Sequence, residues 1–354
     1  MKTSRPSRAL TKLALLLALN IGLFLMVEGF ASLVLTVRHL VEPVELISER
    51  RHTKYDEELG WINIPDLAIE DMYGPGKAFH TNSQGFRNSR DFPISVPPGK
   101  IRILCNGDSF TMGYGEADEH AWCHQLESLD DRVETVNMGQ GGYGIGQSFL
   151  WYMRDGVPLD HQVHLFVFVS FDFFRTSQDA FMDYGKPLLK VGPDGHLVTT
   201  NVPVPKRFYR LPRLEKHLRR LEELRIYQLL SRLLVSPQPI TPTYDERELQ
   251  NVLLEVIEAL REINQAKGST LALVHLPLHQ EFEDEDADRW RSWWKDAAQR
   301  ENVPFVDMIG EMRELQLSQW NSMFGAHGHN SIEGNAYIAS KLHERLVALD
   351  LLRE

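Results

Sequence analysis

Cysteine is scarce in this 354-residue chain, which contains only Cys105 and Cys123. Two cysteines are too few for a disulfide framework or for a zinc-ribbon pattern. One bridge between them and two buried free thiols both agree with the sequence, and the composition does not choose between them.

Positive charge is also in short supply, since 38 Lys and Arg residues face 49 Asp and Glu residues and the formal net charge is −11. A general nucleic-acid-binding protein usually carries a basic surplus, so we expect no nucleic-acid partner. The chain also lacks internal repeats, low-complexity tracts and a Walker lysine. We therefore expect no organic cofactor and no metal.

A long apolar run is present near the N-terminus. Fifteen uncharged residues, 13–27, follow the basic residues Lys2, Arg5, Arg8 and Lys12, and after Glu28 the run continues to Val37. One helix over residues 13–37 would be about 37 Å long, enough to cross a bilayer core of about 30 Å. The basic flank predicts a cytoplasmic N-terminus. Residues 1–38 are thus predicted to be a single-pass transmembrane signal-anchor. The alternatives are a cleaved signal peptide, with Gly29 and Ala31 at its cleavage site, and a buried helix of a soluble protein.

The rest of the chain divides at about residue 100. Residues 39–100, here called the collar, are rich in turn formers and predict short strands and loops. From residue 101 onward, short apolar strands such as "IRILC", "VETVNMG", "HLFVFVSF", "STLALVHLPL" and "VPFVDM" alternate with helical segments. This alternation predicts a three-layer α/β/α sandwich around a parallel sheet. Residues 176–243, here called the insertion, predict a hairpin at Gly-Pro-Asp-Gly and a helix over residues 214–234.

Three segments could carry chemistry. "ILCNGDSF" places Ser109 where a strand ends, which is where open α/β sheets bind ligands; the alternative is a capped turn. "VNMGQGGYGIGQ" is a glycine-rich run past another strand end, whose backbone N–H groups could face an oxyanion. "AHGHNSIEGNAYIA" places His329 on a loop before the last helix, with Ser331 as N-cap, where it could act as a general base.

Together these motifs resemble the SGNH (GDSL) hydrolases, of which "NGDSFTMGYG", "VNMGQGGYG" and "HNSIEG" look like the first, second and fifth blocks. "LGWINIPD" and "HTNSQGFRNS" resemble the segment before that domain in membrane-anchored bacterial members. The resemblance implies a flavodoxin-like topology, with Ser109 as nucleophile, His329 as base, and the N–H groups of Ser109 and Gly142 as oxyanion-hole donors. It also implies an extracytoplasmic (periplasmic) domain anchored in the bacterial inner membrane, with an ester-bearing substrate such as an acetylated polysaccharide. An acetyl esterase or acetyltransferase is the leading interpretation. The alternative is a catalytically inactive glycan-binding or assembly protein with the same fold.

Two positions depart from the family pattern. The third block of the family supplies an asparagine to the oxyanion hole, but here "VSFDFF" places Asp172 or Phe171 there. Asp172 is the candidate for the third oxyanion contact if the alignment places it there, and a carboxyl group can donate only when protonated. The fifth block of the family carries an aspartate two or three residues before the histidine, where this chain has His327 and Ala326. His327 is a candidate orienting residue, while a backbone carbonyl or an acid from elsewhere are alternatives.

Three other features have structural and functional interpretations. His327 and His329 could ligate a metal, but no third ligand has suitable spacing. A basic run predicts a solvated helix face or a contact with anionic headgroups or glycans; it comprises Lys206, Arg207, Arg210, Arg213, Lys216, Arg219, Arg220 and Arg225. Trp290, Trp293 and Trp294 share a helical face, which predicts core packing or, as the alternative, a sugar-stacking platform.

Overall fold

The computed structural model describes residues 8–41, 49–181, 184–205, 224–226, 229–230 and 244–352. The chain divides into two compact units, one made of residues 1–46 and 209–239 and the other of residues 47–208 and 240–354. Most of the predicted helix at 214–234 and most of the basic run lie outside the described residues.

The first unit contains helix α1 (Arg8–Val41). Within it, residues Thr11–Val34 have a mean hydropathy of 2.1, and most of them are exposed, although Ala31 is buried. The helix is therefore long and apolar enough to cross a membrane. The Glu28 carboxylate accepts hydrogen bonds from the backbone N–H groups of Arg225 and Ile226 in the same unit. The charge that interrupts the apolar run thus has partners, as a carboxylate in apolar surroundings requires.

Among the described residues, the second unit contains all the strands and ten further α-helices. The strands are β1 (Thr53–Asp56), β2 (Gly60–Asn63), β3 (Ala68–Ile69), β4 (Phe79–His80), β5 (Ile101–Gly107), β6 (Val133–Gly139), β7 (Val163–Phe168), β8 (Ala180–Phe181), β9 (Tyr184–Gly185), β10 (Leu188–Val191), β11 (Leu197–Thr200), β12 (Thr270–His275) and β13 (Phe305–Asp307). The helices are α2 (Glu49–His52), α3 (Ser109–Met112), α4 (Trp122–Leu129), α5 (Ile145–Trp151), α6 (Ser170–Thr176), α7 (Glu246–Lys267), α8 (Glu285–Arg300), α9 (Met308–Arg313), α10 (Leu317–Ser322) and α11 (Ile332–Ala348).

The central sheet has five parallel strands in the order β13-β12-β7-β5-β6. Numbered along the chain, this is the 2-1-3-4-5 order of flavodoxin-like folds, which the family resemblance implied. The register aligns Gly107 with Gly139, and His275 with both Phe168 and Asp307. The carboxyl ends of the strands therefore form one rim.

Helices cover both faces of this sheet. Every residue of β5, β6 and β7 is buried, as expected of strands with helices on both sides. On one face, Trp122 of α4 and Leu342 of α11 belong to the core beneath β5. On the other, Trp294 of α8 stacks on Phe168 at 4.2 Å. These are the three layers of the predicted α/β/α sandwich.

The predicted tryptophan face belongs largely to this core. Trp290 and Trp294 are 3% and 0% exposed and both pack on Phe173. The core interpretation is confirmed for these two side chains, because a buried ring cannot stack on a sugar.

The two cysteines, Cys105 and Cys123, are both buried, and both are free thiols.

The collar is packed into the second unit and does not stand apart from the sheet. The β1–β2 hairpin carries Trp61, whose indole N–H donates to the carbonyl of Gly141 at 2.9 Å. Tyr143 in turn donates its hydroxyl to the carbonyl of Trp61 at 2.5 Å. Residues 53–100 are therefore a structural part of the domain predicted to begin at residue 101.

The described part of the insertion contains the predicted hairpin. Strands β10 and β11 pair antiparallel around the turn that holds Gly192 and Gly195. The buried Lys186, just before β10, donates to the carbonyl of Arg175 at 2.5 Å. Burial, and then the charge of Arg175, lower the pKa of Lys186 to about 7. This contact joins the insertion to the end of α6.

Candidate active site

Ser109 is the first residue of α3, directly after β5. Asp108 is the N-cap, and its carboxylate accepts the N–H of Phe110 at 2.8 Å. Amides in the first turn of a helix have no acceptor within the helix, so the Ser109 N–H is available to a ligand. The Ser109 residue is 4% exposed. The Asp108 cap thus fixes the serine at the rim of the sheet.

His329 reaches Ser109 from the other end of the chain. The Ser109 Oγ and the His329 Nε2 are 2.8 Å apart, across a separation of 220 residues. The backbone of His329 is held by the Gly325 N–H at 2.7 Å. Ser331 caps α11 by accepting the Gly334 N–H at 3.0 Å, as predicted. The strand-to-helix turn and the loop before α11 therefore bring a hydroxyl and an imidazole into hydrogen-bond contact.

The glycine-rich run forms the neighbouring wall. A Cβ at Gly139 would stand 2.0 Å from the backbone nitrogen of Met112, so only glycine lets β6 end against α3. Gly142 has φ +75° and a Cβ there would stand 2.4 Å from a ring carbon of Phe181. Both the left-handed backbone and the close ring require glycine. The loop that carries the proposed Gly142 donor is thus packed closely on both sides.

Asp108 also belongs to a buried ionic cluster. The Arg175 guanidinium lies 3.0 Å from Asp172 and 3.4 Å from Asp108, and it contacts the carbonyl of Tyr143 at 3.4 Å. Burial raises the pKa of Asp108 although Arg175 lowers it. Burial, followed by the charge of Asp108, raises the pKa of Asp172 well above its ordinary value. One guanidinium therefore holds two carboxyl groups beside the nucleophile.

The third expected oxyanion contact is not supported by its geometry. The two carboxyl oxygens of Asp172 accept the Val169 N–H at 3.1 Å and the Arg175 guanidinium at 3.0 Å. The carboxyl group therefore caps α6 and binds Arg175, which corrects the expectation of a donor there. Phe171, the other residue at the family asparagine position, is 46% exposed and has no polar side-chain atom.

His327 lies near the pair but has a different environment. Its φ is +55° and the residue is exposed. Its ring is edge-on to that of Tyr114 at 5.7 Å, while Tyr114 lies 4.6 Å from the His329 ring. An orienting role for His327 stays a prediction, and so does the choice between a backbone carbonyl and an acid.

Sequence reasoning missed several buried residues around the site, and Arg87 is one of them. It is 0% exposed and donates to the carbonyls of Met112, Gly113 and Glu116, each at 2.7 Å. Its Nε also donates to Asp118 at 2.8 Å. Arg87 thus holds the loop that follows α3. The sequence around the "GFRN" motif has no spacing of residues that would predict a buried arginine at position 87.

The sequence analysis also did not predict a second serine–histidine pair. The Ser170 hydroxyl lies 3.2 Å from the Nε2 of His275, where β7 and β12 end. His275 is 0% exposed, and burial lowers its pKa to about 3. The His275 imidazole is therefore neutral near pH 7 and enclosed by protein. The His329 residue, in contrast, is partly exposed.

Comparisons with known proteins match the fold only. No family model matches the sequence, and no curated protein matches it either. A G-D-S-L family lipolytic protein from Desulfitobacterium hafniense DCB-2 has a TM-score of 0.41 at 12% identity, covering 69% of this chain and 99% of its own. A lipase/acylhydrolase from Enterococcus faecalis has a TM-score of 0.41 at 12% identity, covering 70% and 96%. An acetyl xylan esterase has a TM-score of 0.42 at 13% identity, covering 70% and 100%.

Proposed function

We propose that this protein is a serine-dependent ester hydrolase or acyltransferase. The observation that carries the proposal is the 2.8 Å contact between the Ser109 hydroxyl and the His329 Nε2 at the rim of the sheet. A serine becomes a useful nucleophile when an adjacent base can take its proton. The contact supplies that base, and the first turn of α3 supplies an N–H beside it.

The proposed reaction has two stages. His329 takes the Ser109 proton while the oxygen attacks an ester carbonyl, and the N–H groups of Ser109 and Gly142 bind the oxyanion. The imidazolium returns its proton to the departing alkoxide, which leaves an acyl-serine. Water, or a sugar hydroxyl, then gives a proton to His329 and attacks the acyl carbon. As the bond from the acyl carbon to the Ser109 Oγ breaks, the imidazolium returns this proton to Oγ, which regenerates Ser109 and neutral His329.

The missing third donor predicts a slow enzyme. Loss of one oxyanion donor costs about 10²- to 10³-fold in rate in a serine protease. The Arg175 guanidinium is near the nucleophile, but Asp108, Asp172 and the carbonyl of Tyr143 already bind it. The same missing donor is the observation that favours the alternative, a non-catalytic glycan-binding or assembly protein.

We further propose that α1 anchors the protein in a bacterial inner membrane, with the sheet-containing unit on the periplasmic side. This rests on the length and apolarity of α1 and on the basic residues before it. An acyl-transfer site outside the cytoplasm suits O-acetyl groups of polysaccharides, which we propose as the substrate class. No organic cofactor takes part in the proposed steps.

A fluorophosphonate probe tests the reaction class on the full chain in detergent. Peptide mass spectrometry should find the probe on Ser109, and labelling should be lost in Ser109→Ala. Ser170→Ala is the matched control, because it removes the hydroxyl of the other serine–histidine pair, and it should keep the label. Folded protein that takes up no probe at Ser109 would favour the binding alternative. Acetate release from O-acetylated polysaccharide then tests the substrate class.

A further inference from the structure

Phe181 of the insertion lies directly against the glycine-rich loop. Its ring carbons stand 2.4 and 2.6 Å from the position that a Cβ of Gly142 would occupy. The Arg175 guanidinium is 4.8 Å from the centroid of the same ring. Since Arg175 also contacts Asp108, the residue before Ser109, the ring is placed between the oxyanion loop and the ionic cluster beside the nucleophile.

The position of this ring is fixed by aromatic neighbours. Phe181 pairs with Tyr184 across the β8–β9 hairpin. Trp61 of the collar stacks on Phe181 at 6.3 Å and contacts Tyr184 at 5.5 Å. Trp61 is 3% exposed and is bonded to the Gly141 carbonyl. Two separate parts of the chain thus build an apolar cover over Gly141 and Gly142.

This cover constrains any acyl group bound to Ser109. We propose that an acyl group whose carbonyl oxygen binds at the Gly142 N–H directs its alkyl chain toward the Phe181 ring, and that Phe181 thereby restricts the site to very short acyl groups, acetyl above all. This inference rests on the proposed esterase function and adds the residue that selects which acyl group the site accepts.

The expected effect follows from steric exclusion in an apolar pocket. One methylene group in such a pocket changes kcat/KM by roughly 10- to 200-fold. Phe181→Ala removes the ring and leaves space for several methylene groups. The variant should therefore gain activity on long acyl chains relative to acetyl.

The test compares 4-nitrophenyl acetate, butyrate and octanoate as substrates of the full chain in detergent. The wild type should prefer acetate to octanoate by about 10²-fold or more in kcat/KM, and Phe181→Ala should raise the octanoate-to-acetate ratio at least about tenfold. Phe181→Leu, a smaller change, should give an intermediate ratio if Phe181→Ala folds poorly. Phe174→Ala is the matched control, since it removes an exposed ring of the same size from α6. It should leave the ratio unchanged.

Two results would overturn the inference while the esterase function stands. One is a wild type that hydrolyses octanoate as well as acetate. The other is a ratio that stays within about twofold in folded Phe181→Ala and Phe181→Leu, well below the change expected for a methylene group. If no ester is hydrolysed and Ser109 takes up no fluorophosphonate, the proposed function itself fails and this inference fails with it.

Discussion

The ring of Tyr114 lies 4.6 Å from the ring of His329, with an angle of 33° between the two planes. Phe110 contacts the same imidazole, also at 4.6 Å. Both aromatic residues follow Ser109 within one short segment of the chain. The segment that carries the Ser109 hydroxyl therefore also packs against the His329 ring that would take its proton. This packing helps to maintain the distance between the hydroxyl and the imidazole.

We therefore expect His329 and His327 to contribute differently to activity. Loss of the histidine base of a serine protease costs about 10⁶-fold in turnover. His329→Ala should lower kcat by about 10⁴-fold or more, with the same fold by circular dichroism. His327→Ala should lower kcat less than His329→Ala does, because an orienting residue acts through His329 and the exposed His327 ring contacts Tyr114. Steady-state kinetics on 4-nitrophenyl acetate checks both variants, and an equal loss in the two would contradict the assignment of His329 as the base.

Gly142→Ala should lower kcat by about 10²-fold or more if Gly142 is the oxyanion donor that we propose, because the change displaces its N–H group. The added Cβ meets Phe181, and the φ of +75° disfavours any other residue. Gly195→Ala is the matched control: its φ is +87° and nothing lies within 4 Å of the added Cβ. This control should cost about 1–2 kcal/mol in unfolding free energy from backbone strain and leave kcat unchanged. Retained activity in folded Gly142→Ala would remove Gly142 from the oxyanion hole.

Arg87→Met should lower the free energy of unfolding by about 3–5 kcal/mol, since it leaves buried carbonyls and Asp118 without their cation. Arg90→Met is the control, because the Arg90 side chain is 48% exposed and pairs with Glu127 at the surface. A surface ion pair contributes about 0–1 kcal/mol, so this change should be small. Urea unfolding measures the free energy of unfolding of both variants. Equal stabilities of the two variants would contradict the structural role of Arg87.

The His275 imidazole should make stability depend on pH. Burial lowers its pKa from 6.5 to about 3 in the folded protein. Between these two pH values the unfolded chain therefore binds more protons than the folded protein does. The contribution of His275 to the free energy of unfolding is fully present above pH 6.5 and is lost progressively as the pH falls. Replacing His275 by Gln removes this contribution. Between pH 7 and pH 5, His275→Gln should lose about 2 kcal/mol less unfolding free energy than the wild type.

Urea unfolding at the two pH values measures this difference. His275→Gln is expected to be less stable than the wild type at pH 7, because Ser170 loses its imidazole partner; only the change with pH tests the prediction. Identical changes in the two proteins would show that the folded His275 titrates near its ordinary pKa.

Helix α1 should remain in the mature protein as an anchor. We expect an N-terminal peptide upstream of Glu28 to be present in membrane fractions washed at alkaline pH, and the sheet-containing unit to be open to protease in spheroplasts. Mass spectrometry of the N-terminus decides between anchor and leader. A chain that begins near residue 30 would show that the segment is a cleaved signal peptide.

Local sequence patterns predicted much of the fold. Apolar runs identified all five strands of the central sheet, and Ser331 marked the start of α11. Strand ends were predicted less well: the runs "HLFVFVSF" and "STLALVHLPL" suggested longer strands, but β7 ends at Phe168, with α6 beginning at Ser170, and β12 ends at His275. Hydrophobicity does not separate a buried strand end from a helix start, whereas the backbone hydrogen bonds do.

For this protein, the sequence alone determined the α/β class, the apolar N-terminal helix and the motifs that hold Ser109, Gly142 and His329, because short-range patterning and turn chemistry are local properties. The tertiary structure alone decided that Arg175 binds two carboxyl groups, that Arg87 holds the loop after α3 and that Phe181 covers Gly142. These contacts join residues of separate elements. Their partners depend on how the elements pack in space, which spacing along the chain does not specify.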